Sequence, residues 1–120
     1  DGRLGYLRAP NHPEYPKYEY TLMPTCHTAA RRAFMPDAML RGAELSKGFS
    51  FTKGMPVLKL KNEKDVSQSH YPTVLYDLAR DPAEAVPVED AGVQARMEAA
   101  MQALMRRNDC PEEVFHRYFG

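Results

Sequence analysis

The residue types best suited to chemistry in this 120-residue chain lie in one short stretch, where Cys26 is followed directly by His27. A thiolate beside an imidazolium is an activated nucleophile. Adjacent residues of an extended segment point to opposite faces, however, so the pattern favours two independent side chains over a catalytic pair. Arg31 and Arg32 follow, and their guanidinium groups are suited to binding an anion. A small thiol enzyme that uses Cys26 remains one interpretation of this pattern.

The histidines do not have the spacing of a metal site. Zinc ligands usually come in pairs four residues apart on a helix or close together in a loop. Glu112 and His116 have the helical spacing, but it is equally that of an ordinary pair on an exposed helix face. The four histidines of the chain lie in separate segments, at His12, His27, His70 and His116. We therefore predict that none of them binds a metal or acts in catalysis.

The balance of charge argues against a nucleic-acid partner. The 16 basic and 16 acidic side chains cancel, whereas binding to phosphates of nucleic acid needs a concentrated positive surface.

No run of about 18 apolar residues is present, so we predict no membrane span. Two cysteines are too few for a disulfide framework. The length suits a single domain over residues 1–120, and a chain that opens on Asp1 is expected to be a fragment of a longer one.

Apolar and aromatic patterns predict several short strands. Alternation predicts a hairpin in which residues 49–52 and 57–61 pair across a turn at Lys53-Gly54, and residues 62–70 are polar enough to be a surface loop. The other predicted elements are strands at 5–8, 18–22 and 72–78 and a short helix at 36–42.

The last third of the chain changes to a helical period. From Val93 the apolar residues lie on one helix face, with Asp90 as the N-cap and Asn108 at the end. A second short helix is predicted to begin at Pro111. Strands followed by an amphipathic helix are typical of α+β architecture. We expect a small antiparallel sheet of about four strands, packed by this C-terminal helix, plus short helices.

The segment Leu75–Glu84 has the pattern L-Y-D-L-x-x-D-P-x-E and resembles the strand-and-turn signature near the C-terminus of the sulfatases. The helical stretch from Val88 to Arg107 resembles the C-terminal helix of that family. Two upstream segments are also similar to bacterial sulfatase-type hydrolases of the alkaline phosphatase superfamily, namely Tyr20–Thr25 and Phe49–Gly54.

The resemblance implies an enzyme that hydrolyses sulfate esters with calcium and a formylglycine made from the Cys or Ser of a C-x-P-x-R motif. Neither Cys26 nor Cys110 lies in that motif. The resemblance therefore implies the non-catalytic C-terminal domain, with calcium and formylglycine belonging to the parent enzyme and the N-terminal catalytic domain as its partner. A cytoplasmic or a periplasmic location in a bacterium stays open.

Position relative to the similar segments indicates four candidates for the rim of the parent's substrate pocket: Thr25, Cys26, His27 and Arg31. A related phosphonate or phosphodiester hydrolase is an alternative parent. A free-standing interaction module, binding through the Tyr-rich first third or the aromatic last helix, is the rival from another class. Both predict an exposed apolar patch, through which copies of the chain could also form a homo-oligomer.

Overall fold

The computed structural model describes residues 3–28, 31–62 and 71–120. Its elements in chain order are β1 (Leu4–Leu7), β2 (Lys17–Thr21), β3 (Thr25–Thr28), β4 (Arg31–Phe34), α1 (Asp37–Arg41), β5 (Glu44–Ser46), β6 (Val57–Asn62), β7 (Val74–Asp77), α2 (Ala91–Arg107) and α3 (Glu112–Phe119). All of the strand pairs described are antiparallel. The α+β class predicted from the sequence is confirmed.

The chain divides into two compact units. Unit 1 contains Asp1–Glu14 and Val66–Gly120, and unit 2 contains Tyr15–Asp65. In the described residues, the strands form sheets of two, three and two strands, in the orders β1-β7, β2-β6-β5 and β3-β4. The expected single sheet of about four strands is thus divided, because β6 pairs with β2 and β5 within unit 2, whereas β7 pairs with β1 in unit 1.

Unit 2 is built around β6. Leu60 in the middle of this strand is fully buried, and Val57 at its start is 3% exposed. On its two sides, Tyr20 of β2 pairs with Lys59, and Leu45 of β5 pairs with Leu58. Phe49 and Met35 are also buried. Alternation along β6 directs Val57 to one face of the sheet and Leu60 to the other.

In unit 1, the two helices follow the paired strands β1 and β7. Asp90 caps α2, as predicted, because its Oδ1 accepts a hydrogen bond from the backbone N–H of Val93 at 2.9 Å. Leu75 of β7 and Phe115 of α3 are buried. The Arg106 guanidinium of α2 lies 4.8 Å from the centre of the Phe115 ring, which joins the two helices by a cation–π contact.

The predicted hairpin of residues 49–52 with 57–61 is wrong in its first half. Residues 57–61 lie in β6, but residues 49–52 enter a tight turn, in which the backbone N–H groups of Thr52 and Gly54 both donate to the Phe49 carbonyl. The partners of β6 are instead β2 and β5. Strands β3 and β4 were not predicted. Of the predicted loop at 62–70, Asn62 ends β6 and the remainder lies outside the described residues.

The helix predictions are confirmed to within a few residues. Residues 36–42 contain α1, which begins after Pro36 and ends before Gly42. Helix α2 ends at Arg107, and Asn108 is its C-cap. Helix α3 follows Pro111. In the part of the chain that is described, no helix has the length and apolar character needed to cross a membrane.

Candidate functional site

The four rim candidates lie in one hairpin of unit 2. Thr25, Cys26 and His27 belong to β3, and Arg31 is the first residue of β4, where it pairs with Thr28. His27 pairs with Arg32 rather than with Arg31. The structure therefore brings the four residues together along one pair of antiparallel strands, with Arg31 at the start of β4.

The base of this hairpin is fixed by two backbone hydrogen bonds. The N–H of Thr25 donates to the carbonyl of Met23 at 2.8 Å, and the N–H of Met35 donates to the carbonyl of Pro24 at 2.8 Å. The second bond joins the residues that flank β3 and β4. These bonds set where the half-buried Thr25 begins its strand.

Thr25 also lines a cleft of about 400 Å³ that lies wholly within unit 2, here called the aromatic cleft. Its walls come from the end of β2, the start of β3, the turn at residues 49–52 and the start of β6. No lining residue carries a charge. The lining residues are Tyr20, Thr21, Leu22, Met23, Thr25, Phe49, Phe51, Thr52 and Val57.

Three aromatic rings give the cleft its shape. The Phe49 ring is buried and meets the Tyr20 ring edge to face, with centroids 5.2 Å apart and an interplanar angle of 85°. The Phe49 ring is also stacked with the Phe51 ring, with centroids 5.3 Å apart and an interplanar angle of 2°. Phe51 is a large apolar side chain, yet 75% of it is exposed. One buried ring thus supports an aromatic surface that faces solvent.

A hydroxyl inside the turn holds these rings in place. The Thr52 Oγ1 accepts a hydrogen bond from the Phe49 N–H at 2.9 Å. The same oxygen lies 3.0 Å from the carbonyl oxygens of Phe49 and Met55, to either of which it donates its proton. Gly48 is needed here, because a Cβ at that position would lie 2.2 Å from the carbonyl carbon of Gly54.

The ammonium group of Lys59 is turned toward two tyrosine rings. The Lys59 Nζ lies 4.1 Å from the centre of the Tyr18 ring and 5.9 Å from that of Tyr20. Lys59 is on β6, opposite Tyr20, so this contact follows directly from the register of β2 and β6. Lys59 is not among the residues that line the cleft.

In unit 1, the segment Leu75–Glu84 forms the end of a strand followed by two turns, each stabilised by an aspartate. After β7, the Oδ1 of Asp77 accepts from the Ala79 N–H at 3.1 Å. The Oδ2 of Asp81 accepts from the Val86 N–H at 2.7 Å. The Val88 N–H then donates to the Leu75 carbonyl, which returns the chain to β7. Both aspartates of the pattern are thus used to shape the backbone.

Asp77 also forms ion pairs with two arginines of unit 1. Its Oδ2 lies 3.4 Å from the Arg3 Nη2 and 3.7 Å from the Arg80 Nε. Desolvation by burial opposes ionisation of this carboxyl, but the hydrogen bonds from Arg3 and Ala79 and the charges of both arginines outweigh it and lower its pKa. The negative form is therefore the one that the surroundings favour.

Arg8 joins four segments of unit 1. Its guanidinium donates to the Thr73 hydroxyl at 3.2 Å and to the Tyr118 carbonyl at 3.0 Å, and it lies 4.0 Å from the Glu98 carboxylate of α2. Beside it, burial and the negative charge of Glu98 raise the pKa of Tyr6. These contacts make Arg8 a structural residue, because each partner belongs to the scaffold.

The remaining candidate residues are dispersed. The His12 Nδ1 lies 3.0 Å from the Glu14 Oε1 at an exposed position, and Glu112 and His116 are both exposed on α3. Cys110 is a free thiol, whose pKa is raised by burial and by Glu113 and Glu112. Across residues 3–28, 31–62 and 71–120, no group of three His, Cys, Asp or Glu side chains could hold a metal ion.

Comparison of the chain with protein-family models, with curated proteins and with solved structures gives no match. Sequence reasoning included Thr25 but missed the aromatic residues around it. The available signal was the pattern Phe49-Ser50-Phe51-Thr52-Lys53-Gly54, in which the hydroxyl and glycine favour a turn that separates two rings by one residue.

Proposed function

We propose that this chain is the non-catalytic C-terminal domain of a sulfatase-type hydrolase, structural in itself and contributing to the rim of the parent's substrate pocket. The observation that carries the proposal is the geometry of Leu75–Glu84. The two aspartates of the sulfatase-like pattern each stabilise a turn. These hydrogen bonds explain why the pattern has aspartate at both positions. A side chain that does not hold an acceptor oxygen close to the backbone would leave the two turns without this support.

Helix α2 supports the structural role. It has 17 residues and a capped N-terminus, yet none of its residues is fully buried. Its apolar face includes Met97, Met101 and Leu104, and Leu104 is 49% exposed. An amphipathic helix gains most of its stability from packing its apolar face. A larger domain packed against α2 would provide that contact.

The rim residues would act through position and charge. The rim candidate Arg31 and its neighbour Arg32 both lie on β4, which pairs with the strand that holds Thr25, Cys26 and His27. Guanidinium groups bind sulfate and phosphate oxygens in a bidentate manner. The hairpin would therefore suit the edge of a pocket for an anionic ester, whether the parent is a sulfatase or a related phosphonate or phosphodiester hydrolase.

The first test is an assay of the purified chain with an aryl sulfate in the presence of calcium. We expect no hydrolysis, because the nucleophile and the metal ligands of a sulfatase would belong to the parent's catalytic domain. Hydrolysis that persists after repurification, and that Cys26→Ala abolishes, would instead support a thiol enzyme.

The second test measures association with the catalytic domain encoded beside this segment in its gene. We expect binding in trans, weakened by Leu104→Glu, which places a charge on the apolar face of α2. The matched control is Ala103→Glu, which adds the same charge at the neighbouring exposed position. Sedimentation of the chain alone measures self-association through the same face. A free-standing interaction module would not bind the catalytic domain and would show no such difference between the two variants.

A further inference from the structure

We propose that the aromatic cleft binds a small uncharged aromatic molecule of one or two fused rings. The cleft lies wholly in unit 2, and every residue that lines it belongs to this chain. The inference therefore does not depend on the proposed sulfatase parent, and binding can be measured on the chain as it is.

The shape of the cleft suits a flat ring. Its volume of about 400 Å³ falls within the usual range of small-molecule sites, about 300–1,000 Å³. The Phe51 ring is parallel to Phe49 within 2°, yet 75% of Phe51 is exposed. A ligand ring can thus stack on the open face of Phe51 and extend the existing pair, which is a favoured arrangement of aromatic groups.

The chemistry of the lining excludes charged and heavily hydroxylated ligands. No lining residue is charged, so an anion or cation would lose its hydration without a partner. Two of the lining hydroxyls are engaged within the chain: the Thr21 hydroxyl bonds with both the N–H and the carbonyl of Met23, and the Thr52 hydroxyl holds the turn. Most of the surface left for a ligand is apolar, including the 53% exposed Leu22 and the 58% exposed Met23.

Met23 adds a preference for aromatic over aliphatic groups, because a thioether makes favourable contacts with ring edges. One wall of the site is also preformed. The Thr52 hydrogen bonds and the close approach of Gly48 to Gly54 fix the turn that carries both phenylalanines. A rigid site spends little free energy on ordering when the ligand binds.

The experiment titrates the chain with 2-naphthol. The chain contains no Trp, so naphthol fluorescence is excited without interference from protein. For a ligand of this size we expect a Kd on the order of 0.1–1 mM. In NMR spectra, the methyl signals of Leu22, Met23 and Val57 should shift on binding, whereas those of Leu45, which lies outside the cleft, should not.

Three variants locate the site. Phe51→Ala removes the open ring and should weaken binding by roughly fivefold to tenfold, the usual contribution of an aromatic pair. Phe51→Leu keeps an apolar group and should weaken it by about half that factor. Leu45→Ala is the matched control, since Leu45 is also 75% exposed, and should leave the Kd within about twofold.

Phe51 is exposed, so these variants should fold, and circular dichroism checks that they do. Two results would overturn the proposal: methyl shifts spread evenly over unit 2 with no change in Phe51→Ala, or cyclohexanol binding as tightly as 2-naphthol. The first would indicate nonspecific adsorption. The second would indicate an apolar patch with no preference for aromatic rings.

Discussion

The carboxylate of Asp81 accepts a hydrogen bond from the backbone N–H of Val86 at 2.7 Å, and so closes the turn that follows β7. Two residues later, the Val88 N–H donates to the Leu75 carbonyl on β7. The side chain of Asp81 therefore decides how the chain returns to the strand.

Asp81→Ala should lower the free energy of unfolding by about 1 kcal/mol, because the Val86 N–H loses its acceptor. Asp81→Asn keeps an oxygen at the same place and should cost less. Chemical denaturation measures the stability, and hydrogen exchange of the Val86 amide measures the bond itself. Equal exchange of this amide in the wild type and in Asp81→Ala would show that the bond does not form in solution.

The lowered pKa of Asp77 predicts a stability that depends on acid. Because the folded state favours the ionised carboxylate, Asp77 stabilises the fold above its unfolded pKa near 4. This contribution is lost as the pH falls through the still lower pKa of the folded state. Asp77→Asn keeps the acceptor for the Ala79 N–H but removes the charge that Arg3 and Arg80 contact.

We therefore expect Asp77→Asn to be less stable than the wild type at pH 7, with a difference that shrinks below a pH of about 4. Urea unfolding at a series of pH values measures it. The control is Glu89→Gln, which removes a negative charge at an exposed position. A difference between wild type and Asp77→Asn that stays constant down to pH 2 would contradict the predicted role of the charge.

Thr52→Val should destabilise unit 2 by roughly 1–3 kcal/mol, since the Phe49 N–H loses its partner inside the turn. Thr52→Ser keeps the hydroxyl and should remain close to the wild type. The measurement is chemical denaturation followed by circular dichroism. If valine and serine have the same effect, the hydroxyl does not hold the turn.

The Cys110 thiol should react slowly at neutral pH, because burial and the charges of Glu113 and Glu112 raise its pKa. In the Cys26→Ser variant, Cys110 is the remaining cysteine. The rate of alkylation by iodoacetamide should reach half its maximum above the ordinary thiol pKa of about 8.5. Glu113→Gln should move that midpoint to lower pH. A midpoint below 8 would contradict the expected environment.

Local patterns predicted the elements whose causes are local. Helix α2 follows from the apolar period that begins at Val93 and from the cap provided by Asp90, both of which lie within a few turns of the chain. Strand β6 follows from its alternation. Its partners were not predictable from that alternation, because β2 is separated from it by about 40 residues and pairing at this distance depends on the whole unit.

The turn at residues 49–52 shows why a pattern can be read two ways. Phe49-Ser50-Phe51-Thr52 alternates as a strand would, but the backbone of Lys53 has a φ of 54° and Gly54 one of 78°. Both are left-handed conformations that end an extended run. The aromatic cleft was missed for a related reason: Leu22 and Phe51 come from different elements, and only the folded chain brings them together.

Unit 1 is discontinuous in sequence, since Leu7 of β1 pairs with Val74 of β7 and Arg8 binds the Tyr118 carbonyl. Unit 2 is a continuous stretch between those segments. During synthesis from the N-terminus, the partners of β2 are therefore made long before those of β1 and Arg8 are complete. We expect the nascent chain to form the sheet of unit 2 first, so that β1, which is translated before the other described strands of this chain, is among the last to find its neighbours.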